Sequence, residues 1–114
     1  MSNEYIVIEC ELKVLKIPIK DIYFIQHLDG ITTFHLSYGE RICQRSLSEL
    51  SKSLPSNFIR VSRNHIVNHY EIQEFYKKKR TVTLNNGGKI IVSHRNQKAL
   101  TDAIKSSAIN FKSS

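Results

Sequence analysis

The chain has 114 residues, 40% of them hydrophobic, and its 17 lysines and arginines against 10 acidic residues give a net charge of +7. This length predicts one domain, residues 1–114, whose single core needs neither disulfides nor metal. The charge favours a polyanionic partner and disfavours a strongly cationic one.

Short apolar segments predict strands through the first part of the chain, at residues 5–10, 12–17, 19–28, 31–38 and 41–45. Pro18 confines the second of these to an edge or an end of a sheet. The run from Ile22 to Ile25 is apolar on both faces, which predicts a central strand. Asp29 and Gly30 form a turn signal between two of the strands.

Two helices are predicted among further strands. Ser46 and Glu49 have the spacing of a capping box, leucines follow on one face, and Pro55 ends this short helix. Apolar residues at helical spacing predict a C-terminal helix over 95–107, and we expect 110–114 to fray. Residues 58–61, 72–76, 80–84 and 89–92 predict strands. The fold class is therefore mostly β, with small antiparallel sheets, one short central helix and one C-terminal helix.

A first cluster of basic and polar residues follows the strand at 58–61. It consists of Arg60, Ser62, Arg63, Asn64 and His65, with apolar residues on both sides. Arginine can fork onto guanine, asparagine can pair with adenine, and cations hold phosphate. The cluster therefore suits DNA binding, although an ordinary polar turn between strands has a similar composition.

A second cluster leaves the strand at 89–92 and opens the C-terminal helix. Ser93 is the expected N-cap, and a helix N-terminus presents free N–H groups to phosphate. Arg95 and Lys98 are three residues apart and are expected on one helical face. Solvated charges on an ordinary capped helix are the alternative interpretation.

A run of four cations, Lys77, Lys78, Lys79 and Arg80, falls between two predicted strands. Such runs are often solvated hairpin tips. In a DNA-binding protein this one would add attraction for phosphate that does not depend on sequence.

The other chemical classes find little support. His65 and His69 are four apart, but 68–70 is not predicted to be helical and no ligand spacing is complete, so we expect no metal and no cofactor. Paired carboxylates, a nucleophile elbow and a phosphate-binding glycine loop are absent, so we expect no enzyme. Cys10 and Cys43 are predicted to be reduced thiols. Without a signal peptide or an apolar run of ~20 residues, we expect a soluble cytoplasmic protein that does not contact a membrane.

The order of these motifs resembles the LytTR DNA-binding domain of bacterial transcriptional regulators. The resemblance rests on Ile-Pro-Ile-x-Asp-Ile-Tyr-Phe-Ile at 17–25, Ser-Leu-x-x-Leu at 46–50 and Phe-Ile-Arg-Val-x-Arg-x-x-Ile-Val-Asn at 58–68. Leu-Asn-Asn-Gly at 84–87 and Ile-Val-Ser-x-Arg at 91–95 complete it, so that it covers about 6–104.

The resemblance implies a domain whose loops enter successive major grooves on one face of bent double-stranded DNA. It also implies the output half of a response regulator in a two-component system, with a receiver domain in a longer chain and direct-repeat promoter sites. The implied base-contacting residues are His27, Gly30, Arg63 and Arg95. With them, we expect phosphate contacts from Arg60, Asn64, Lys77, Lys78, Lys79, Lys98 and Ser93.

The chain departs from the family's pattern at two points. Ser62 and Asn64 stand where many members have His and Ser, and the first contact loop is short and carries Asp29 and Gly30. We therefore expect a different sequence preference there. The alternative function is a β-rich protein-interaction module whose basic face docks an acidic partner.

Overall fold

The computed structural model describes residues 5–106 and 108–112. Its strands are β1 Tyr5–Glu9, β2 Val14–Pro18, β3 Ile22–Leu28, β4 Ile31–Leu36, β5 Gly39–Cys43, β6 Phe58–Ser62, β7 His65–Asn68, β8 Ile72–Tyr76, β9 Thr81–Leu84 and β10 Lys89–Ile91. The helices are α1 Leu47–Ser51 and α2 Gln97–Lys105. The mostly β fold class, with a short central helix and a C-terminal helix, is confirmed.

The strands form three antiparallel sheets. The largest has the order β5-β4-β3-β7-β6, the second is the ribbon β1-β2, and the third has the order β10-β9-β8. The apolar run at Ile22 to Ile25 lies in β3, at the centre of the largest sheet, as predicted. A strand in that position has neighbours on both edges and packed layers on both faces, which explains why it lacks polar alternation.

Two hydrophobic cores lie on opposite faces of the five-stranded sheet. Successive side chains of a strand point to opposite faces, and Ile66 belongs to one core while Val67 belongs to the other. The first core packs the sheet against β1, β2 and α1, with Phe34 fully buried. The second core packs it against β8, β9, β10 and α2, with Leu100 fully buried. The two basic clusters both border the second core.

The capping box is present at the start of α1. Ser46 Oγ accepts from the backbone N–H of Glu49 at 3.1 Å, and the Glu49 carboxylate accepts from the Ser46 N–H at 3.2 Å. The helix ends at Ser51, earlier than Pro55 suggested. Beyond Ser51 the backbone tightens into i→i−3 bonds, from the N–H of Lys52 to the carbonyl of Glu49 at 3.3 Å and from the N–H of Ser53 to that of Leu50 at 3.0 Å.

The C-terminal helix begins later than predicted. Residues His94–Asn96 form a 3-10 turn, and α2 starts only at Gln97. The Ser93 side chain does not cap α2, because its hydroxyl instead accepts from the Asn96 amide at 2.6 Å. This bond favours the tight turn. The prediction that Ser93 caps this helix was therefore wrong.

Two other expectations meet the structure only in part. Residues His69–Glu71 form a 3-10 turn where no helix was predicted, and the Asn68 side chain accepts from the N–H of Tyr70. The expected fraying over 110–114 falls partly outside the described residues.

In the described part of the chain, no helix is long and apolar enough to cross a membrane.

Candidate nucleic-acid interface

The three segments expected to contact bases lie side by side. They are the β3–β4 turn with His27 and Gly30, the β6–β7 turn with Arg63, and the 3-10 turn with Arg95. The backbone N–H of His27 donates to the carbonyl of Asn64 at 2.9 Å, which joins the first turn to the second. The third segment is attached in the same way. The N–H of Ser93 donates to the carbonyl of Val61 at 2.8 Å.

A groove of about 540 Å³ collects the basic residues of both clusters. Its lining residues are Ser48, Arg60, Ser62, Arg63, Ser93, Arg95 and Asn96. A larger groove of about 580 Å³, lined in part by Tyr5, Pro55 and Tyr70, contains no arginine. The smaller groove is therefore the better candidate for a polyanion, since its three arginines offer fork-shaped donors.

A β-bulge shapes the first cluster. Arg60 pairs with Ile66 and Ser62 pairs with His65, so Val61 has no partner in β7. The side chain of Val61 is fully buried in the second core, and its carbonyl is the one that accepts from Ser93. Bulges of this kind redirect neighbouring groups. Here the bulge frees the carbonyl that connects the two clusters.

Side-chain hydrogen bonds hold the β6–β7 turn. Arg60 donates from Nε to the carbonyl of Ser62 at 2.9 Å and from Nη2 to the carbonyl of Arg63 at 2.8 Å. Ser62 Oγ accepts from the N–H of Asn64 at 3.3 Å and lies 2.9 Å from Nδ1 of His65. Sequence reasoning treated Arg60 only as a phosphate contact and missed this role in the turn.

The exposed cations differ in how they are compensated. Lys98 Nζ lies 3.1 Å from the Asp102 carboxylate, an i,i+4 pair with both side chains exposed. Such a pair contributes little stability, but it offsets the positive charge that was expected to hold phosphate. In the part of the chain that the structure describes, Arg63, Arg95 and the three lysines at 77–79 make no ion pair with a carboxylate.

The lysine run forms a 3-10 turn, Lys77–Lys79, between β8 and β9. It ends at Arg80, a non-glycine residue with a positive φ of 48°. Arg80 Nη1 donates to the carbonyl of Val92 at 2.9 Å, and the N–H of Val92 donates to the carbonyl of Arg80 at 2.7 Å. Arg80 therefore fastens the lysine turn to the residue before Ser93. Composition showed its charge but gave no sign of this anchoring.

The β3–β4 connection is a two-residue turn. Asp29 and Gly30 have φ values of 52° and 79°, the left-handed conformation of a type I′ turn. Gly30 adopts it without strain, whereas a side chain there would be strained even though nothing occupies the space. His27 Nδ1 lies 2.8 Å from Oγ1 of Thr32, and Thr32 donates to the carbonyl of Arg45. The His27 ring is thus fixed beside the turn.

Two partly buried histidines, His35 on β4 and His65 at the start of β7, lie beside the ring of Phe24. His35 stacks on Phe24 with ring centroids 4.1 Å apart, and its Nδ1 lies 3.2 Å from the Glu40 carboxylate. Burial lowers the pKa of His35 although Glu40 acts in the opposite direction. Burial, and to a smaller extent His35, lowers the pKa of His65. Burial of the His35 ring therefore outweighs the attraction of the Glu40 carboxylate for its charged form.

The domain is expected to lose stability as the pH falls below the ordinary histidine pKa of 6.5. In that window the unfolded chain binds more protons than the folded chain, because folding lowers both pKa values. The free energy of unfolding therefore decreases as the pH falls. Urea denaturation at about pH 7.5 and about pH 5.5 measures the effect. A variant carrying both His35→Gln and His65→Gln is the control. An equal decrease in the variant would assign the effect to other groups.

No group of three or more His, Cys, Asp or Glu side chains among the described residues is arranged to hold a metal ion. The fold and the basic groove are those of a small β-rich nucleic-acid-binding domain. A family model for the LytTr DNA-binding domain matches residues 12–105. The chain therefore belongs to the LytTr DNA-binding domain family.

A solved structure shares the fold. It is the LytTr DNA-binding domain assigned to a methyl-accepting/DNA response regulator from Bacillus cereus, with a TM-score of 0.77 and 20% sequence identity. The match covers 91% of this chain and 99% of that one. A search of curated proteins gave no match.

Proposed function

We propose that this chain binds double-stranded DNA sequence-specifically, as the output domain of a bacterial response regulator. Its loops would enter successive major grooves at direct-repeat promoter sites in the cytoplasm, where bacterial DNA lies. We take residues 1–114 as one domain and propose that a receiver domain accompanies it in a longer chain. The observation that carries the proposal is the joining of three distant loops, by two backbone hydrogen bonds, into one surface with exposed arginines.

The proposed roles follow from the position of each side chain. Arg63 and Arg95 are exposed, without an ion-pair partner among the described residues, and border the same groove, so they are proposed to read bases. His27 and Gly30 form the third base-contacting site, where glycine permits close approach of the backbone. The proposed phosphate contacts are Lys77, Lys78, Lys79, Lys98, Asn64 and Ser93. Arg60 was expected in that set, but two of its donors are already bonded to carbonyls.

Selection from a pool of random duplexes tests the proposal. Bound duplexes are recovered, amplified and sequenced, and fluorescence anisotropy then compares the selected duplex with random DNA. Enrichment of a repeated motif supports a sequence-specific regulator. Salt-sensitive binding without enrichment would contradict it and would favour the interaction module with an acidic partner.

The affinity is expected to fall steeply with salt. If about six phosphates are neutralised, the slope of log K against log salt concentration is about −5, because each contact releases condensed counterions. The net charge of +7, together with the cations that make no ion pair among the described residues, motivates this value. Anisotropy titrations at several salt concentrations measure the slope. A value near zero would exclude phosphate as the main source of affinity.

A further inference from the structure

We propose that Arg60 is a positioning residue. It fixes the backbone of the β6–β7 turn and thereby orients the Arg63 side chain, rather than holding a phosphate. The inference rests on the proposed function, since it assumes that Arg63 reads a base. It assigns Arg60 to sequence discrimination instead of general affinity.

The two carbonyls that Arg60 binds stand on either side of the Arg63 Cα. The carbonyl of Ser62 precedes the Arg63 nitrogen, and the carbonyl of Arg63 follows its Cα. With Nε at 2.9 Å from the first and Nη2 at 2.8 Å from the second, one rigid guanidinium spans both peptide units. A planar fork held in this way restricts the two backbone dihedrals that aim the Arg63 side chain.

Among the described residues, Arg60 makes the only side-chain hydrogen bonds to the carbonyls of Ser62 and Arg63. Ser62 Oγ supports the N–H of Asn64, and the carbonyl of Asn64 accepts from the N–H of His27. Those bonds and the pairing of Ser62 with His65 hold the two ends of the turn, while the guanidinium binds the carbonyl of Arg63 itself. Swinging Arg60 out to a phosphate would break two charge-assisted hydrogen bonds. Arg60 is also half-buried, whereas Arg63 is exposed.

The first experiment compares Arg60→Lys and Arg60→Gln with the unchanged chain on the selected duplex and on random DNA, over a range of salt. Lysine keeps the charge but cannot span two carbonyls. Both variants should raise Kd for the selected duplex by roughly 5- to 150-fold, the range of a bidentate base contact, with little change on random DNA. Their salt slopes on random DNA should equal that of the unchanged chain.

A phosphate contact gives the opposite pattern. Arg60→Lys would then bind almost normally, and Arg60→Gln would weaken both duplexes and reduce the salt slope by about 1. That result would overturn the inference. Arg41→Lys is the matched control, because Arg41 also donates to a backbone carbonyl, that of Glu40 at 2.8 Å, but lies on β5 outside the groove. It should bind both duplexes like the unchanged chain.

A double-mutant cycle separates positioning from any independent contribution of Arg60. In a chain that already carries Arg63→Ala, the change Arg60→Lys should have almost no further effect on the selected duplex, since the side chain that it aims is gone. Additive losses would overturn the inference. The thermal midpoint of each variant shows whether the fold is retained, and Arg60→Gln provides a second variant if lysine destabilises it.

Amide hydrogen exchange in the free chain keeps this inference distinct from the proposed function. If the unchanged chain fails to discriminate DNA sequences, the proposed function fails. The positioning role of Arg60 is then judged by the N–H of Asn64, which belongs to the same peptide unit as the Arg63 carbonyl that Arg60 binds. This N–H should exchange faster in Arg60→Lys than in Arg41→Lys. Equal exchange rates would overturn it.

Discussion

Replacing Arg95 by alanine is expected to cost roughly 1–3 kcal/mol on the selected duplex, a 5- to 150-fold increase in Kd, with little change on random DNA. Arg95 is exposed on the 3-10 turn, borders the arginine groove and makes no ion pair among the described residues. An arginine that reads a base contributes only where that base is present. Anisotropy titrations of both duplexes measure the two effects.

Lys78→Ala is the control for this prediction. Lys78 lies in the exposed lysine turn, so its loss should weaken both duplexes by a similar factor and reduce the salt slope by about 1. Equal weakening of both duplexes by Arg95→Ala would instead identify Arg95 as a phosphate contact.

Asn68→Ala is expected to lower the free energy of unfolding by roughly 2–4 kcal/mol. Asn68 is only 3% exposed, and its Nδ2 donates to the carbonyl of Ile22 at 3.0 Å. Its Oδ1 accepts from the Asn57 amide at 2.9 Å and from the N–H of Tyr70 at 3.1 Å. Alanine leaves a buried carbonyl unsatisfied, at about 1–3 kcal/mol, and removes the cap of a turn, at about 1 kcal/mol.

Urea denaturation measures this loss, with Asn85→Ala as the control. Asn85 is exposed, and its side chain makes one hydrogen bond, to the Glu71 carboxylate at 3.2 Å. Its replacement should change stability by no more than about 0.5 kcal/mol. Equal losses in the two variants would show that the buried network around Asn68 contributes nothing of its own.

Local sequence patterns predicted those features of the fold that depend on residues close together in the chain. The apolar run of β3 predicted its central place, the Ser46 and Glu49 spacing predicted a capping box, and Asp29 with Gly30 predicted a tight turn. Helix ends were predicted less well. Side-chain bonds such as that between Asn96 and Ser93 favour a 3-10 turn over a regular helix start, and hydrophobic spacing does not report them.

The candidate site was predicted as two clusters and not as one surface. Residue types identified the arginines, but no pattern links Ser93 to Val61, because their hydrogen bond depends on a bulge in another sheet. The hydrogen bonds of Arg60 to two carbonyls and the left-handed backbone of Arg80 could not be predicted from the sequence either. Arginines that only face solvent occur in the same sequence patterns. The family resemblance supplied the grouping that residue chemistry could not.

The two backbone hydrogen bonds that join the loops fix the distances between their tips, so the protein has little freedom to adjust to a poorly matched site. We expect the duplex to make that adjustment, and the energy of twisting or kinking it depends on its sequence. Base pairs that no side chain touches should therefore influence binding through their stiffness. A spacer with pliable TA or CA steps would be occupied more readily than a stiff A-tract of the same length.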